Sequence, residues 1–370
     1  VQTCALPIYY QDVAFLGYIP PAPKQGNVTL KKVSANPSLT NGNSCYSLAG
    51  AQFGVYSSSS LSGASRVGTL TTDANGNSNT LKLNAGTYYV KEIVAPKGYA
   101  LNPETKSVYI PAGGTASVSF ADLPQMDPVG ILLGKVDAET NQNKPQGSAT
   151  LQGAQFTVKY YAGLWEANKD PATLGKTPSR TWVFQTDKDG YTSYSKKYLV
   201  TGSELYLSST GHPAIPIGTI TIQETKAPEG YLLNPEVFVR QITPSGATEN
   251  VNTYNKPTIP ENIFKLDLKK EQEGTDIPIP GAKFEHTKPD GTKETLTTDE
   301  NGALTFKALQ HGHHAITELE VMDGYVVNEN IIEFDVAEDN KVTLTSTTDP
   351  TLGNIKFEVT AQGNISLTVE

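Results

Sequence analysis

One short motif occurs three times in this 370-residue chain, and it constrains both the local periodicity and what must be buried. The copies are Glu92-Ile-Val-Ala-Pro-Lys-Gly-Tyr99, Glu224-Thr-Lys-Ala-Pro-Glu-Gly-Tyr231 and Glu318-Leu-Glu-Val-Met-Asp-Gly-Tyr325. Each glutamate closes a period-two alternation: Tyr88, Val90, Glu92; Ile220, Ile222, Glu224; His314, Ile316, Glu318. In a strand, that spacing places every member of a set on one face. The carboxyl is therefore aimed into a core, where it needs a partner or a proton.

The partner is sought upstream. Val28-Thr-Leu30-Lys-Lys32, Ile131-Leu-Leu133-Gly-Lys135 and Phe264-Lys-Leu266-Asp-Leu268-Lys-Lys270 are again alternating, and they place Lys32, Lys135 and Lys270 on the aliphatic face. Gly-Ala-x-Phe follows at Gly50–Phe53, Gly153–Phe156 and Gly281–Phe284, and then a Thr-Asp-x-x-Gly turn at Asp73–Gly76, Asp187–Gly190 and Asp299–Gly302. The constant order of these pieces at domain-sized spacing predicts tandem domains. The first two copies also end alike. Val118-Ser-Phe120-Ala-Asp122 and Val251-Asn-Thr253-Tyr-Asn255 each bring an Asp or Asn to the inward face two residues before a proline. In the third, Ile365-Ser-Leu367-Thr-Val369 carries the inward register to the residue after Glu370, and Asp349 is a weaker candidate. A buried Lys–Glu–Asn/Asp cluster satisfies itself either as an ion pair with hydrogen bonds or as a covalent amide, and the register leaves both open.

Short runs rich in Val, Ile, Thr and Tyr between Gly, Asn and Asp turns predict an all-β chain. The net charge of -9 offers no footprint for nucleic acid. No apolar run is long enough to span a bilayer. Val1–Ile8 resembles translated sequencing-adaptor sequence, so the chain is expected to begin in non-native residues and to be a truncated piece, with Cys4 an artefact. That leaves Cys45, expected to be a tolerated surface cysteine in a polar loop, and no disulfide framework. The expected divisions are 1–26 (non-native start plus a linker or the tail of a preceding domain), 27–126, 127–258 with the aromatic-rich insertion, and 259–370, the last cut at its final strand.

The ordered set resembles the Cna-B, or SpaA-like prealbumin-fold, domains of Gram-positive surface proteins and pilins. The third copy departs in having Val321-Met322-Asp323 where the others have Ala-Pro-x. The resemblance implies all-β sandwiches in an extended rod, and in many such domains an intramolecular isopeptide bond. The implied sets are Lys32, Glu92 and Asp122, then Lys135, Glu224 and Asn255, then Lys270 and Glu318 with the acceptor missing or displaced. The chemistry has its own logic. A neutral amine is the nucleophile, and a protonated glutamate polarises the acceptor carbonyl. The fold supplies proximity. Each site would react once, which is maturation and not turnover. Tension on the termini is expected to peel the first and last strands from the edges of each sandwich, and a covalent bond between them would prevent it.

Three further signals bear on function. The long segment of the second copy carries Trp165, Trp182, Tyr191 and Tyr194, a candidate glycan- or protein-binding surface if exposed, and core aromatics otherwise. His311-Gly-His313-His314 lacks the converging ligands of a metal site, so His314 is expected in the core and His313 in solvent. The Thr-Asp-x-x-Gly segments lack the carboxylates of a calcium loop and are expected to be turns. No cofactor is implied. The leading expectation is the stalk of a cell-wall-anchored surface protein, monomeric, attached through a sorting signal that these residues lack. A ligand-binding adhesin module centred on the second copy, meeting host glycan or matrix protein, is one alternative. An accessory region of a larger secreted enzyme is another.

Overall fold

The computed structural model describes residues 24–254, 256–346 and 354–370. Cys4, Asn255 and Asp349 lie outside them. Nearly all regular structure is β, in three successive sandwiches. The first contains β1 (Gln25–Ser34), β2 (Gln52–Tyr56), β3 (Arg66–Thr71), β4 (Leu81–Asn84), β5 (Gly86–Val94), β6 (Thr105–Ile110) and β7 (Thr115–Asp122). One sheet has the order β4-β1-β7 and the other β3-β2-β5-β6. Alternation along β1 and β7 buries Val28, Leu30, Val118 and Phe120 against Phe53, Val55 and Val90 of the facing sheet.

The other two repeats keep this plan. The lysine strand Leu133–Asp137 lies between Tyr191–Thr192 and Thr258–Glu261, and Lys265–Lys270 lies between Ala303–Lys307 and Ile365–Val369. In every repeat the lysine strand and the last strand are parallel neighbours, with Lys32 opposite Phe120, Lys135 opposite Ile259 and Lys270 opposite Val369. This corrects the expected response to force. The lysine strand is interior to its sheet, and two parallel strands pulled at opposite ends are loaded in shear along their length instead of being peeled.

The repeats are joined by packed junctions. Tyr99, Tyr46, Leu39 and Cys45 of repeat one enclose Met126, at the junction, and Ala214 and Ile217 of repeat two. The Tyr46 hydroxyl accepts from Ile217 N (2.9 Å) and donates to Gln125 O (2.8 Å). At the next junction Tyr231 packs with Ala149, Leu151, Ile263 and Ala308. The Gly-Tyr of the repeated motif thus closes each of these seams. Cys45 is 1 % exposed, not a surface thiol, because repeat two covers its loop. Burial pushes its pKa up, which keeps it an unreactive thiol.

Of the two readings of the repeat-two aromatics, the core one holds for Trp182 and Tyr194. Trp182 (0 % exposed) and Tyr194 (2 %) pack edge to face with centroids 5.1 Å apart, in the cluster formed by Phe156, Phe184 and Ile220. Tyr191 is half-buried over Gly134, and Trp165 is half-buried with Lys176 4.4 Å above its ring. His314 is buried, stacked on Phe334 and hydrogen-bonded to His286 (2.8 Å), while His313 faces solvent beside Asp335.

Candidate cross-linking sites

Three local devices aim the lysine and glutamate of each repeat. The first is a β-bulge. Phe53 pairs with Glu92 but Gln52 pairs with Val94, so one residue is skipped, and the same shift occurs at Phe156–Glu224 and Phe284–Glu318. Such a bulge kinks the strand and re-aims the side chain beside it. The phenylalanine of Gly-Ala-x-Phe then lies under the amine: Lys32 Nζ is 4.9 Å from the Phe53 centroid and Lys135 Nζ is 4.8 Å from that of Phe156.

The second device is the Thr-Asp-x-x-Gly turn. Asp73 Oδ1 accepts from Asn75 N and Asn77 N, and Asp187 and Asp299 repeat the pattern, so these carboxylates hold turns. The turn glycine carbonyl accepts from the lysine backbone N–H in all three repeats: Gly76 O from Lys32 (2.7 Å), Gly190 O from Lys135 (2.9 Å) and Gly302 O from Lys270 (2.8 Å). Glycine is required there. Gly76 has φ +77°, and a Cβ would stand 2.1 Å from Lys32 O.

The third device was missed in the sequence, although it was legible there: an asparagine three residues after each Gly-Tyr. The backbone N–H of Asn102, Asn234 and Asn328 donates to Oε2 of Glu92, Glu224 and Glu318, at 2.7 Å in each case. The side-chain Nδ2 of the same residues donates to Ala121 O (3.0 Å), Pro260 O (3.1 Å) and Glu370 O (3.2 Å) on the last strand. One residue thereby ties the glutamate to the backbone just before the acceptor position.

In repeat one, Lys32 Nζ meets Glu92 Oε1 at 2.5 Å and also contacts Asp122 Oδ2, with all three side chains at 0 % exposure. Asn102 Nδ2 lies 3.1 Å from Asp122 Oδ1 and donates to it. Burial pushes Glu92 up to about 7, against the opposing pull of Lys32 and the Asn102 N–H. In repeat two, Lys135 contacts Glu224 and sits 2.6 Å from Glu261 Oε1. The expected third member, Asn255, lies outside the described residues, and Glu261 fills the position that corresponds to Asp122. The reason is that Thr253 N and Tyr254 N donate to Asp127, so this stretch is held away from the lysine strand and the last strand starts only at Thr258. In repeat three, Lys270 Nζ is 3.3 Å from Glu318 Oε2, and the position matching Asp122 and Glu261 falls on the residue after Glu370. The structure therefore brings together Lys32, Glu92 and Asp122 in repeat one, Lys135 and Glu224 in repeat two, and Lys270 and Glu318 in repeat three.

The chain matches the family model of the SpaA domain, with a prealbumin-like fold, over residues 26–124, 131–257 and 264–351. Glu261 falls between the second and third matched segments. Among solved structures it is similar to the TIE protein of Bacillus anthracis, at 24 % identity and a TM-score of 0.52, over 85 % of this chain and 49 % of that one. The chain thus spans about half the length of that protein. It is also similar to the major pilin subunit BcpA of Bacillus cereus (15 % identity, TM-score 0.38, 94 % of this chain and 99 % of that one). A third match is the pilus adhesin SpaC of Lactobacillus rhamnosus GG in its open conformation (16 %, TM-score 0.30, 94 % and 43 %). No curated protein sequence matches the chain.

Proposed function

The chain belongs to the SpaA prealbumin-like domain family, and on that premise we propose that it is a structural stalk segment of a Gram-positive cell-surface adhesin or pilin-like protein, hardened by internal amide cross-links. The observation that carries this reading is the repeat-one cluster, where one amine is held between two carboxyls with no access to water.

The step is a condensation. Lys32 transfers a proton within the cluster and attacks Cγ of Asp122 through Nζ. Glu92, kept protonated by burial, donates to the acceptor oxygen, while Asn102 Nδ2 is placed to stabilise the charge that develops on Oδ1. The Cγ–O bond breaks, the oxygen leaves as water, and a Cγ–Nζ amide remains. Before reaction the site buries charges whose desolvation is costly; afterwards it holds a neutral amide and a neutral acid. A bond between these parallel strands would cross the shear plane and carry load past the rest of the domain.

The packed Tyr46–Tyr99 and Tyr231 seams favour a stalk by resisting bending between modules. The alternative of an aromatic binding face on repeat two is not retained, because Trp182 and Tyr194 are core residues. Among the described residues no helix is long and apolar enough to cross a membrane. The test is the intact mass of the folded protein beside that of Glu92→Ala. The wild type is expected to lack one water at repeat one and the variant to regain it. A wild type with Lys32 and Asp122 unjoined would overturn the proposal.

A further inference from the structure

Repeat two presents a problem that repeat one does not: two glutamates face a single lysine. Lys135 contacts Glu224 Oε1 and Glu261 Oε1, with Glu224 at 1 % and Glu261 at 0 % side-chain exposure. Their surroundings differ. Glu224 is pinned through Oε2 by the Asn234 N–H, as Glu92 is by Asn102 and Glu318 by Asn328. Glu224 therefore occupies the assisting position. Glu261 Oε2 has no hydrogen-bond partner. Glu261 stands opposite Asp137, two residues beyond the lysine, as Asp122 stands opposite Ser34 two residues beyond Lys32. The preceding carbonyl, Pro260 O, takes the Asn234 side chain as Ala121 O takes that of Asn102.

We propose that Lys135 and Glu261 are joined by an amide between Nζ and Cδ, a lysine–glutamate cross-link that closes repeat two. The assignment rests on the reading of repeat one as a cross-linked domain. The bond forms as Nζ attacks Cδ and the Cδ–O bond breaks, with one water released. No oxidant or co-reactant is needed. The extra methylene of glutamate relative to aspartate is accommodated, since Nζ and Oε1 are already in contact at 2.6 Å.

Charge balance gives a second reason. One ammonium and two carboxylates in a dry site would leave an excess negative charge, Lys135 being the one cation beside both glutamates. Burial pushes both glutamates up, Glu261 to about 8, so neutral acid is the favoured form of the acceptor near neutral pH. Condensation removes the ammonium and one carboxyl together and leaves Glu224 as a buried acid anchored by Asn234.

The experiment is peptide mapping by tandem mass spectrometry on the full chain, with Glu261→Gln and Glu261→Ala alongside the wild type. The wild type is expected to yield a branched peptide linking Lys135 to Glu261, lighter by one water. Glu261→Gln is expected to form the same branch by losing ammonia from its carboxamide. Glu261→Ala should leave Lys135 free while the Lys32–Asp122 branch persists. A branch from Lys135 to Asn255, or a free Lys135 in a wild type that carries the Lys32–Asp122 branch, would overturn this assignment alone. Absence of both branches would overturn the repeat-one reading along with it. The wild-type map decides the question even if a variant fails to fold.

Discussion

Pulling the chain by its ends offers a severe mechanical test. A Lys32–Asp122 bond removes the intervening segment from the load path. That segment is about 90 residues, and at ~3.5 Å per residue it holds about 310 Å of contour, less the length the folded repeat already spans. In single-molecule force spectroscopy the wild type should show no extension step for repeat one. Glu92→Ala removes the assisting acid and should add one step, equal to about 310 Å less the folded span. The variant also loses thermodynamic stability. Closing a loop of this size restricts the unfolded chain by about 4–5 kcal/mol in the chain-entropy model, and breaking a buried ion pair costs about 3–5 kcal/mol where no bond has formed. Force separates the two causes, since only the covalent bond abolishes the step. A wild-type chain that releases the full repeat-one contour would refute the reasoning, however stable that repeat proved.

Four other outcomes follow from local geometry. Gly302→Ala should destabilise repeat three by about 2–4 kcal/mol in denaturant unfolding, because the residue is left-handed (φ +69°) and a Cβ would stand 2.5 Å from Lys270 O. Gly274→Ala, equally left-handed at φ +70° but with open space around it, should cost only about 1–2 kcal/mol. Trp182→Ala should lower the stability of repeat two by about 3–5 kcal/mol, read by denaturant unfolding, because it empties a core site. Repeat three should be acid-sensitive: burial holds His286 down at about 3, below its usual 6.5, so the unfolded chain takes up the proton first. Its stability should be fully present above pH 6.5 and fall as pH drops from there toward 3, and thermal unfolding across that window should show a smaller loss for His286→Phe.

Much of each site was legible because strands alternate strictly. Counting by twos from Val28, Leu133 and Leu266 places Lys32, Lys135 and Lys270 inward, and all three are buried. The same count from Val118 gives Asp122. The count from Val251 toward Asn255 runs outside the described residues, and short of it Thr253 and Tyr254 are not in a strand but bond to Asp127 and Leu132. The shorter alternation Ile259-Pro-Glu261 made the burial of Glu261 readable, and the asparagine three residues beyond each Gly-Tyr was equally plain. Trp182 was readable as core from its partner Phe184 two residues on. Cys45 was not, because its cover comes from Ala214 and Ile217 in the next repeat, a contact that no local pattern announces.

The most direct measurement is the separation of Lys32 Nζ and Asp122 Cγ in a crystal at atomic resolution. The account predicts continuous density and a planar link of about 1.33 Å, the length of an amide C–N bond. Two discrete groups, with nitrogen and carboxylate oxygen resting about 2.7–2.9 Å apart as in an ordinary ion pair, would contradict it.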